Sequence, residues 1–261
     1  MTKLAANLTM LFTEVPFLER FAEAAKAGFK GVEFLFPYAF DAENIAEQLD
    51  RNRLQLVLHN LPAGNWDAGE RGIACDPART GEFQDGVGTA ITYAKALGVG
   101  QLNCLVGIKP ADVTADQAYD AVVANLRFAA AALAREGLTL LIEPINHFDI
   151  PGFYLNGTEQ ALGIIADTGA SNLKLQYDIY HMQRMEGELA ATVRAHLAQI
   201  GHIQLADNPG RFEPGTGEIN YRYLLPLLDD IGYTGWVGCE YKPKDGTVKG
   251  LKWIAEHGIT Q

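Results

Sequence analysis

The stretch "LTLLIEPINHFDIPGFYLNGTEQALGIIADTGASNLKLQYD", residues 138–178, contains the pattern that decides the fold. An apolar run at 138–143 is followed by a loop, by a segment of helical period over 158–169 that ends in Gly, and by a second apolar run at 173–178. Short apolar runs are typical of buried strands, and a terminal Gly is a common helix C-cap. The stretch therefore predicts a strand–helix–strand unit with parallel strands and a right-handed crossover.

The same alternation continues along the whole chain. Eight apolar runs are predicted as strands, at 4–10, 31–36, 54–59, 101–106, 138–143, 173–178, 201–206 and 236–240. Segments of helical period lie between most of them, and eight such units in 261 residues match the content of a (β/α)8 barrel. We therefore predict one α/β domain over residues 1–261, a single (β/α)8 TIM barrel. The irregular segment 60–80 follows the third strand, where a barrel places an active-site loop.

Composition narrows the class of partner. The net charge is −11, and no cluster of Lys and Arg stands out, which disfavours nucleic acid and anionic membrane surfaces. No run approaches the roughly eighteen apolar residues of a membrane span, and the N-terminal apolar stretch is interrupted by Asn7 and Thr9, which makes it a poor signal peptide. The three cysteines are far apart and indicate reduced thiols, hence a cytoplasmic protein. We expect a small-molecule substrate and no nucleotide cofactor.

Polar residues end four successive predicted strands. Alternate residues of a barrel strand point into the lumen, and the last inward one borders the active site. Counting back by twos from Glu143, Asp178, Gln204 and Glu240 gives one parity with polar groups at the strand ends, and the residues of the opposite parity are apolar. Three carboxylates and an amide are costly to bury together unless a divalent cation is present, and oxygen ligands suit Mg²⁺ or Mn²⁺. The pattern predicts a metal site, with four solvated strand ends as the alternative.

Other polar residues are predicted near the same mouth. His181 follows Asp178 by three residues and is a candidate hydrogen-bond donor to a substrate oxygen, or else a structural histidine. His59 has the inward parity on the third strand and is a candidate for positioning a substrate oxygen, with a loop-start cap as its alternative. Arg211, after the seventh strand, is a candidate for bidentate binding of a carboxylate, or else a solvated loop residue. The same parity places Asn7, Glu33, Asn103 and Gln176 in the lumen.

Several longer motifs are specific enough to compare with a known family. They are "ANLTMLFTEVPFLERF" (6–21), "LHNLPAGNWDAGERGIAC" (58–75), "QYDIYHMQRMEG" (176–187) and "GWVGCEYKP" (235–243). Together they resemble the hydroxypyruvate isomerase family of xylose-isomerase-like barrels, over nearly the whole chain.

The resemblance implies the interconversion of hydroxypyruvate and tartronate semialdehyde, with Glu143 and Glu240 as the acid/base pair. It also implies a divalent ion held by Glu143, Asp178, Gln204 and Glu240. Gln204 departs from the wider pattern, because related ketose epimerases have a histidine at this position.

Other functions are compared with this one. A 2-oxo-tetronate isomerase or a related ketose epimerase would share the chemistry on a different substrate. A metal-dependent DNA endonuclease would need a basic groove, and a non-catalytic sugar-acid binding protein would need no acid/base pair. The segment "YKPKDG" (241–246) and loop aromatics such as Trp66 are candidate contacts of a homo-oligomer.

Overall fold

A computed structural model describes residues 2–259 and contains a closed barrel of parallel strands in chain order. The strands of this described part are β1 (Lys3–Asn7), β2 (Gly31–Glu33), β3 (Gln55–Asn60), β4 (Gln101–Cys104), β5 (Thr139–Ile142), β6 (Leu173–Asp178), β7 (Ile200–Leu205) and β8 (Trp236–Cys239). The α-helices are α1 (Arg20–Lys26), α2 (Ala42–Asn52), α3 (Thr80–Leu97), α4 (Ala115–Ala134), α5 (Thr158–Thr168), α6 (Ile179–Met185), α7 (Leu189–His196), α8 (Tyr221–Asp230), α9 (Thr247–Gly250) and α10 (Lys252–Glu256). The predicted barrel is confirmed.

Closure of the barrel is made by β1 and β8, which pair in parallel from Lys3 opposite Trp236 to Ala6 opposite Cys239. Short 3₁₀ turns at Phe17–Glu19, Trp66–Ala68 and Pro77–Arg79 occur in the loops. Within residues 2–259, no helix has both the length and the apolarity needed to cross a membrane.

Helix α3 is the one long helix that the sequence pattern does not single out. Three glycines, at positions 81, 86 and 88, dilute its apolar period. In the structure its buried residues nevertheless recur every three or four positions, at Phe83, Val87, Ala90, Ala94 and Leu97. This stripe packs against the barrel, so tertiary burial stabilises a helix of weak intrinsic propensity.

Apolar side chains fill two separate regions. The larger lies between the strands and the surrounding helices, and it includes the buried free thiols of Cys75, Cys104 and Cys239. The smaller lies inside the lumen, on the N-terminal side of the polar strand ends, and we call it the lumen plug. It consists of Ala5, Val57, Leu58 and Leu141, with the Trp236 ring packed against them. Gly31 is required beside the plug, because a Cβ there would lie 2.7 Å from the Trp236 ring.

A bulge in β3 changes the orientation predicted for His59. Val32 pairs with Leu56, but the next residue of β2, Glu33, pairs with Leu58, so β3 contains one extra residue. The bulge reverses the parity of the rest of the strand. His59 therefore lies behind the lumen wall, parallel to the Phe34 ring at 6.4 Å between centroids. The inward orientation predicted for His59 is wrong, because a single inserted residue reverses every later side chain.

Candidate active site

Glu143 follows β5 directly and is 4% exposed. Its Oε2 atom accepts hydrogen bonds from Asn103 Nδ2 (3.0 Å) on β4 and from Gln176 Nε2 (2.9 Å) on β6. Its Oε1 atom lies 3.9 Å from His181 Nε2. The neighbouring strands thus anchor one oxygen of the carboxylate and leave the other directed towards the site.

Asp178 is both the last residue of β6 and the N-cap of α6. Its Oδ1 atom accepts from the backbone N–H groups of Tyr180 (2.8 Å) and His181 (3.4 Å). Its Oδ2 atom is buried, has no hydrogen-bond partner among the described residues, and lies 3.6 Å from His181 Nε2. Asn146 Nδ2 donates to His181 Nδ1 (2.6 Å). This bond places the imidazole proton on Nε2, which faces Asp178 and Glu143.

Gln204 belongs to a hydrogen-bonded chain that crosses the lumen. Its Nε2 atom donates to Glu33 Oε1 (2.7 Å), and its Oε1 atom accepts from Gln176 Nε2 (2.6 Å). Gln176 also donates to Glu143, and Glu33 Oε2 is paired with His202 Nε2 at 2.7 Å. A Cβ at position 238 would lie 2.3 Å from the Glu33 carboxylate, so glycine is needed there. Strand parity predicts Glu33 and Gln176 in the lumen, but it does not reveal that they orient the site.

Arg211 reaches the site from the loop after β7. Its Nη2 atom lies 2.9 Å from Glu240 Oε1 and 3.5 Å from Asp178 Oδ2. Glu240 itself follows β8 directly and is 7% exposed. The guanidinium therefore offsets part of the negative charge contributed by two different strands. Sequence analysis predicts Arg211 as a carboxylate ligand, and in the structure its carboxylate partners are those of the protein.

Burial dominates the electrostatics of the three carboxylates. Burial, followed by the charges of Glu240 and Asp178, raises the pKa of Glu143 well above its usual value. Burial raises the pKa of Glu240 to about 8 and also raises that of Asp178, although the Arg211 guanidinium opposes both shifts. Burial, followed by the charges of Arg211 and Arg184, lowers the pKa of His181 well below its usual value. The site therefore favours a neutral imidazole and disfavours three ionised carboxylates unless further positive charge is supplied.

These side chains surround a cavity of about 100 Å³. The polar residues of its wall are Asn7, Glu33, Asn60, Glu143, Gln176, His181, Gln204, Arg211 and Glu240. A cavity of about 150 Å³ in another protein holds one benzene molecule, so a cavity of this size suits a ligand of a few carbon atoms better than a hexose. On β3 the wall is formed by Leu58 and Asn60, and His59 lies behind it, so we do not retain His59 as a substrate-contacting residue.

Trp66 forms part of the apolar wall. Its ring lies 5.0 Å from Phe36 and 4.0 Å below the Arg71 guanidinium. Tyr241 of the "YKPKDG" segment is fully buried, and its hydroxyl accepts from Trp253 Nε1 (3.1 Å). Tyr241 is therefore a core residue and not a subunit contact, whereas Trp66 is half-buried and its contact with a second subunit stays a prediction.

The residues present fit a divalent cation. One ligand atom each from Glu143, Asp178 and His181 lies within 4.8 Å of the others, and all three residues are buried. The unpartnered Oδ2 of Asp178 and the raised carboxylate pKa values are both relieved by a cation. The α6 turn brings His181 back over the end of β6, so its Nε2–H lies beside two of the carboxylates for which sequence analysis predicts a metal site.

The fold and the site together define a class of protein. The sequence matches the family described as "Xylose isomerase-like TIM barrel" over residues 21–257, and the chain belongs to that family. It is 59% identical over 254 residues to hydroxypyruvate isomerase of Escherichia coli, covering 97% of this chain and 98% of the relative. It is 46% identical over 254 residues to 2-oxo-tetronate isomerase of Cupriavidus necator, with the same coverage of both chains. The family resemblance predicted from the motifs is confirmed.

Solved structures agree with this assignment. The crystal structure of an AP endonuclease, family 2, from Brucella melitensis superposes with a TM-score of 0.96 at 44% identity, covering 98% of this chain and 99% of that chain. This agreement extends beyond the barrel strands to the loops of the mouth, since nearly every residue of both chains is superposed.

Proposed function

We propose that this chain interconverts hydroxypyruvate and 2-hydroxy-3-oxopropanoate (tartronate semialdehyde), as one catalytic domain over residues 1–261. The observation that carries the proposal is that two buried carboxylates, Glu143 and Glu240, line one small cavity together with a guanidinium, Arg211. The substrate is inferred from the 59% identity to the E. coli enzyme of that name.

The reaction moves hydrogen between adjacent carbons of a three-carbon acid. A base removes a proton from the terminal CH₂OH carbon, and the electron pair forms a C=C bond while the neighbouring carbonyl oxygen gains negative charge. The resulting enediolate takes a proton at the former carbonyl carbon. The terminal hydroxyl passes its proton to the former carbonyl oxygen, so the terminal oxygen becomes the aldehyde oxygen, the former carbonyl oxygen becomes the product hydroxyl, and atoms and electrons balance.

Glu143 and Glu240 are the groups proposed to move the carbon-bound proton. They follow β5 and β8, with β6 and β7 between them, and they enter the cavity from different sides. Glu143 is held by its Oε2 atom, which leaves Oε1 to exchange the proton without rotation of the side chain. Burial raises the pKa of both carboxyl groups, and this brings their proton affinity closer to that of a carbon acid activated by a carbonyl group.

Two further side chains are proposed to hold the substrate oxygens. The Nε2–H group of His181 faces the cavity and can donate to the hydroxyl or carbonyl oxygen whose charge changes. Arg211 has several N–H donors and contacts Glu240 through Nη2 alone, so its guanidinium can also bind the substrate carboxylate.

The metal is proposed to be Mg²⁺ or Mn²⁺, because the available ligands are predominantly oxygens. Glu143, Asp178, Gln204 and Glu240 would hold it, and the Nε2–H group of His181 faces the carboxylates of Glu143 and Asp178 as a hydrogen-bond donor. When bound, such an ion acts as a Lewis acid that polarises the substrate oxygens.

The test is turnover measured separately on hydroxypyruvate and on 2-oxo-tetronate, each after chelation and after addition of Mg²⁺ or Mn²⁺. We expect a higher kcat/KM on hydroxypyruvate, and activity that the chelator removes and the metal restores. Preference for the four-carbon acid would contradict the substrate assignment, and full activity after verified metal removal would contradict the metal assignment.

A 2-oxo-tetronate isomerase is the second candidate, supported by the 46% identity to the Cupriavidus necator enzyme. A small cavity favours the shorter acid, because the longer one needs space for an additional carbon.

Nuclease activity, which the name of the Brucella melitensis protein implies for that protein, is the least favoured for this chain. A net charge of −11 opposes binding to a phosphate backbone. A DNA-nicking assay with Mg²⁺ or Mn²⁺ distinguishes the two activities.

We also propose a cytoplasmic location, supported by three buried free thiols.

A further inference from the structure

The loop after β7 is folded around one buried carboxylate. Asp207 is fully buried, and in the described structure it accepts hydrogen bonds from four backbone N–H groups of its own loop. Its Oδ1 atom accepts from Asn208 (2.9 Å) and Ile219 (3.1 Å), and its Oδ2 atom accepts from Gly215 (2.8 Å) and Gly217 (2.9 Å). A carboxylate offers about four acceptor positions, so these donors use its full capacity.

The loop closes so tightly around Asp207 that it depends on glycine. A Cβ at Gly217 would lie 2.1 Å from the Asn208 carbonyl oxygen and 2.7 Å from Asp207 Oδ1. The Asn208 carbonyl also accepts from the backbone N–H of Glu218 (2.7 Å), which joins the two ends of the loop. The conformation of residues 208–219 is therefore set in large part by Asp207 and by backbone hydrogen bonds.

Arg211 lies within this loop and is held on both sides by the backbone. The N–H of Asp207 donates to the Phe212 carbonyl (2.8 Å), directly after Arg211. The Arg211 carbonyl accepts from the N–H of Lys242 (2.8 Å), which connects the loop to the segment after β8. Arg211 has a φ of +57°, a left-handed conformation that a side-chain-bearing residue keeps only when its surroundings impose it.

We propose that Asp207 is a positioning residue that sets Arg211 and, through it, the affinity of the site for the substrate carboxylate. Asp207 does not line the cavity, so its effect must pass through the loop. The inference rests on the proposed role of Arg211 as the carboxylate ligand.

The exchange Asp207→Asn tests this positioning role, because it replaces one carboxylate oxygen with an NH₂ group. Asparagine keeps one acceptor oxygen and directs an NH₂ group at two backbone donors, so the loop cannot retain its present path. The matched control is Glu218→Gln, the same carboxylate-to-amide exchange at an exposed position of the same loop, where Glu218 Oε1 accepts only from side chains, Asn208 (2.6 Å) and Gln183 (3.3 Å).

The measurement is a double-mutant cycle of Asp207→Asn and Arg211→Ala, with two readouts. The first is the Kd of tartronate, a three-carbon dicarboxylate with no carbonyl group to isomerise, measured by calorimetry with Mg²⁺ present and after chelation. The second is KM and kcat for hydroxypyruvate. We expect Asp207→Asn to weaken tartronate binding by on the order of 10²-fold, mainly through displacement of Arg211. In the Arg211→Ala background, Asp207→Asn should have no further effect on the Kd.

A merely structural role for Asp207 gives a different result. Additive effects on the Kd in the double variant would overturn the proposal, as would a Kd for Asp207→Asn equal to that of Glu218→Gln. Thermal unfolding of each variant shows which of them are folded.

A second variant covers the case in which Asp207→Asn does not fold. Gly215→Ala keeps Asp207 and meets no atom within 4 Å, but it strains a residue at φ +89° whose N–H donates to Asp207. It should shift the tartronate Kd in the same direction by a smaller factor, and this shift should vanish in the Arg211→Ala background. A wild-type Kd in folded Gly215→Ala would overturn the proposal.

Failure of this inference is distinguishable from failure of the proposed function. If the wild type binds tartronate and the cycle is non-additive, but neither acid is isomerised, only the proposed reaction fails. If the wild type isomerises hydroxypyruvate and the cycle is additive, only the positioning role fails. If Arg211→Ala leaves both the Kd and the KM unchanged, Arg211 is not the carboxylate ligand and the inference fails with it.

Discussion

The two ends of the barrel lumen are filled by opposite kinds of atom. On the N-terminal side of the mouth, the lumen plug of Ala5, Val57, Leu58, Leu141 and Trp236 consists of packed carbon, and its Leu58 also borders the cavity. At the C-terminal ends, the mouth contains buried polar groups, and several of their atoms have no hydrogen-bond partner in the described structure. They include Asn103 Oδ1, Gln176 Oε1, Asp178 Oδ2 and Arg211 Nε. Buried polar atoms without partners lower the stability of the fold, so we expect the plug to stabilise the barrel. The unpartnered atoms of the mouth are available to bind a ligand.

This division predicts that changes at the two ends separate activity from stability. A substitution at the mouth should reduce turnover without reducing stability, and a substitution in the plug should do the reverse.

The largest effect is expected for Glu143→Gln and Glu240→Gln. Removal of a general acid or base should lower kcat by about 10²–10⁴-fold. Because burial raises the pKa of Glu240 to about 8, the carboxyl group opposes folding at pH 7, and its neutral amide should unfold at the same or a higher temperature with chelator present. The measurements are steady-state kinetics and thermal unfolding. A double Gln variant with a near-normal rate would rule out the acid/base pair.

A plug residue should show the opposite behaviour. Leu141→Ala removes a fully buried side chain from the plug and should lower the free energy of unfolding by about 2–5 kcal/mol. At temperatures where the variant is folded, its KM for hydroxypyruvate should stay within about twofold of the wild-type value, because the residues that contact the substrate at the mouth are unchanged. Urea denaturation and kinetics on the same preparation provide the check, with Leu141→Met as the volume-conserving control. A KM shift in a stable Leu141→Ala protein would show that the two ends are coupled.

Gln176 lies between the plug and the mouth, so its substitution tests whether stability and activity are separate there. Gln176→Leu removes one of the two donors to Glu143 Oε2 and the donor to Gln204. It also removes an unpartnered buried oxygen, so stability should change little while turnover falls by about 10–100-fold, as for other groups that orient a ligand. A matched control is Asn103→Leu, which removes the other donor to the same oxygen. Loss of stability without loss of rate in both variants would assign these amides to the structure alone.

The smallest effect on turnover is expected for His59→Leu. His59 lies behind the wall, and burial lowers its pKa from 6.5 to about 4. The folded chain therefore holds a neutral imidazole, so stability is present above pH 6.5 and falls as pH decreases towards 4. The loss should reach about 2 kcal/mol at pH 5. His59→Leu should flatten the pH dependence of unfolding and leave kcat/KM nearly unchanged. A large loss of kcat/KM in this variant would contradict the position of His59 behind the wall and would indicate a substrate contact.

Much of the site could be predicted from the sequence, because residue spacing along a strand indicates which side chains point into the lumen. A strand alternates its side chains with a period of two, and all parallel strands end at the same rim. This is why the positions of Glu143, Asp178, Gln204 and Glu240 at one mouth follow from residue spacing. The prediction for His59 fails for the same reason, since an inserted residue in β3 reverses the alternation and leaves no signal in composition.

The remaining contacts depend on loops and on neighbouring strands. The pairing of Arg211 with Glu240 joins residues 29 positions apart, and the pairing of His202 with Glu33 joins residues 169 positions apart. No local pattern records such partners, because they are set by barrel closure and by the path of the β7 loop around Asp207.

The sequence by itself determined the class of fold, the rim at which the site lies and the kinds of group that form it. These properties follow from periodicity and from the chemistry of single side chains. Only the tertiary structure decided which oxygen of Glu143 is free, which nitrogen of His181 faces the carboxylates, and that Arg211 offsets their charge. Those properties depend on distances of about 3 Å between residues from different strands, and hydrogen bonding at that range is fixed only when the barrel closes.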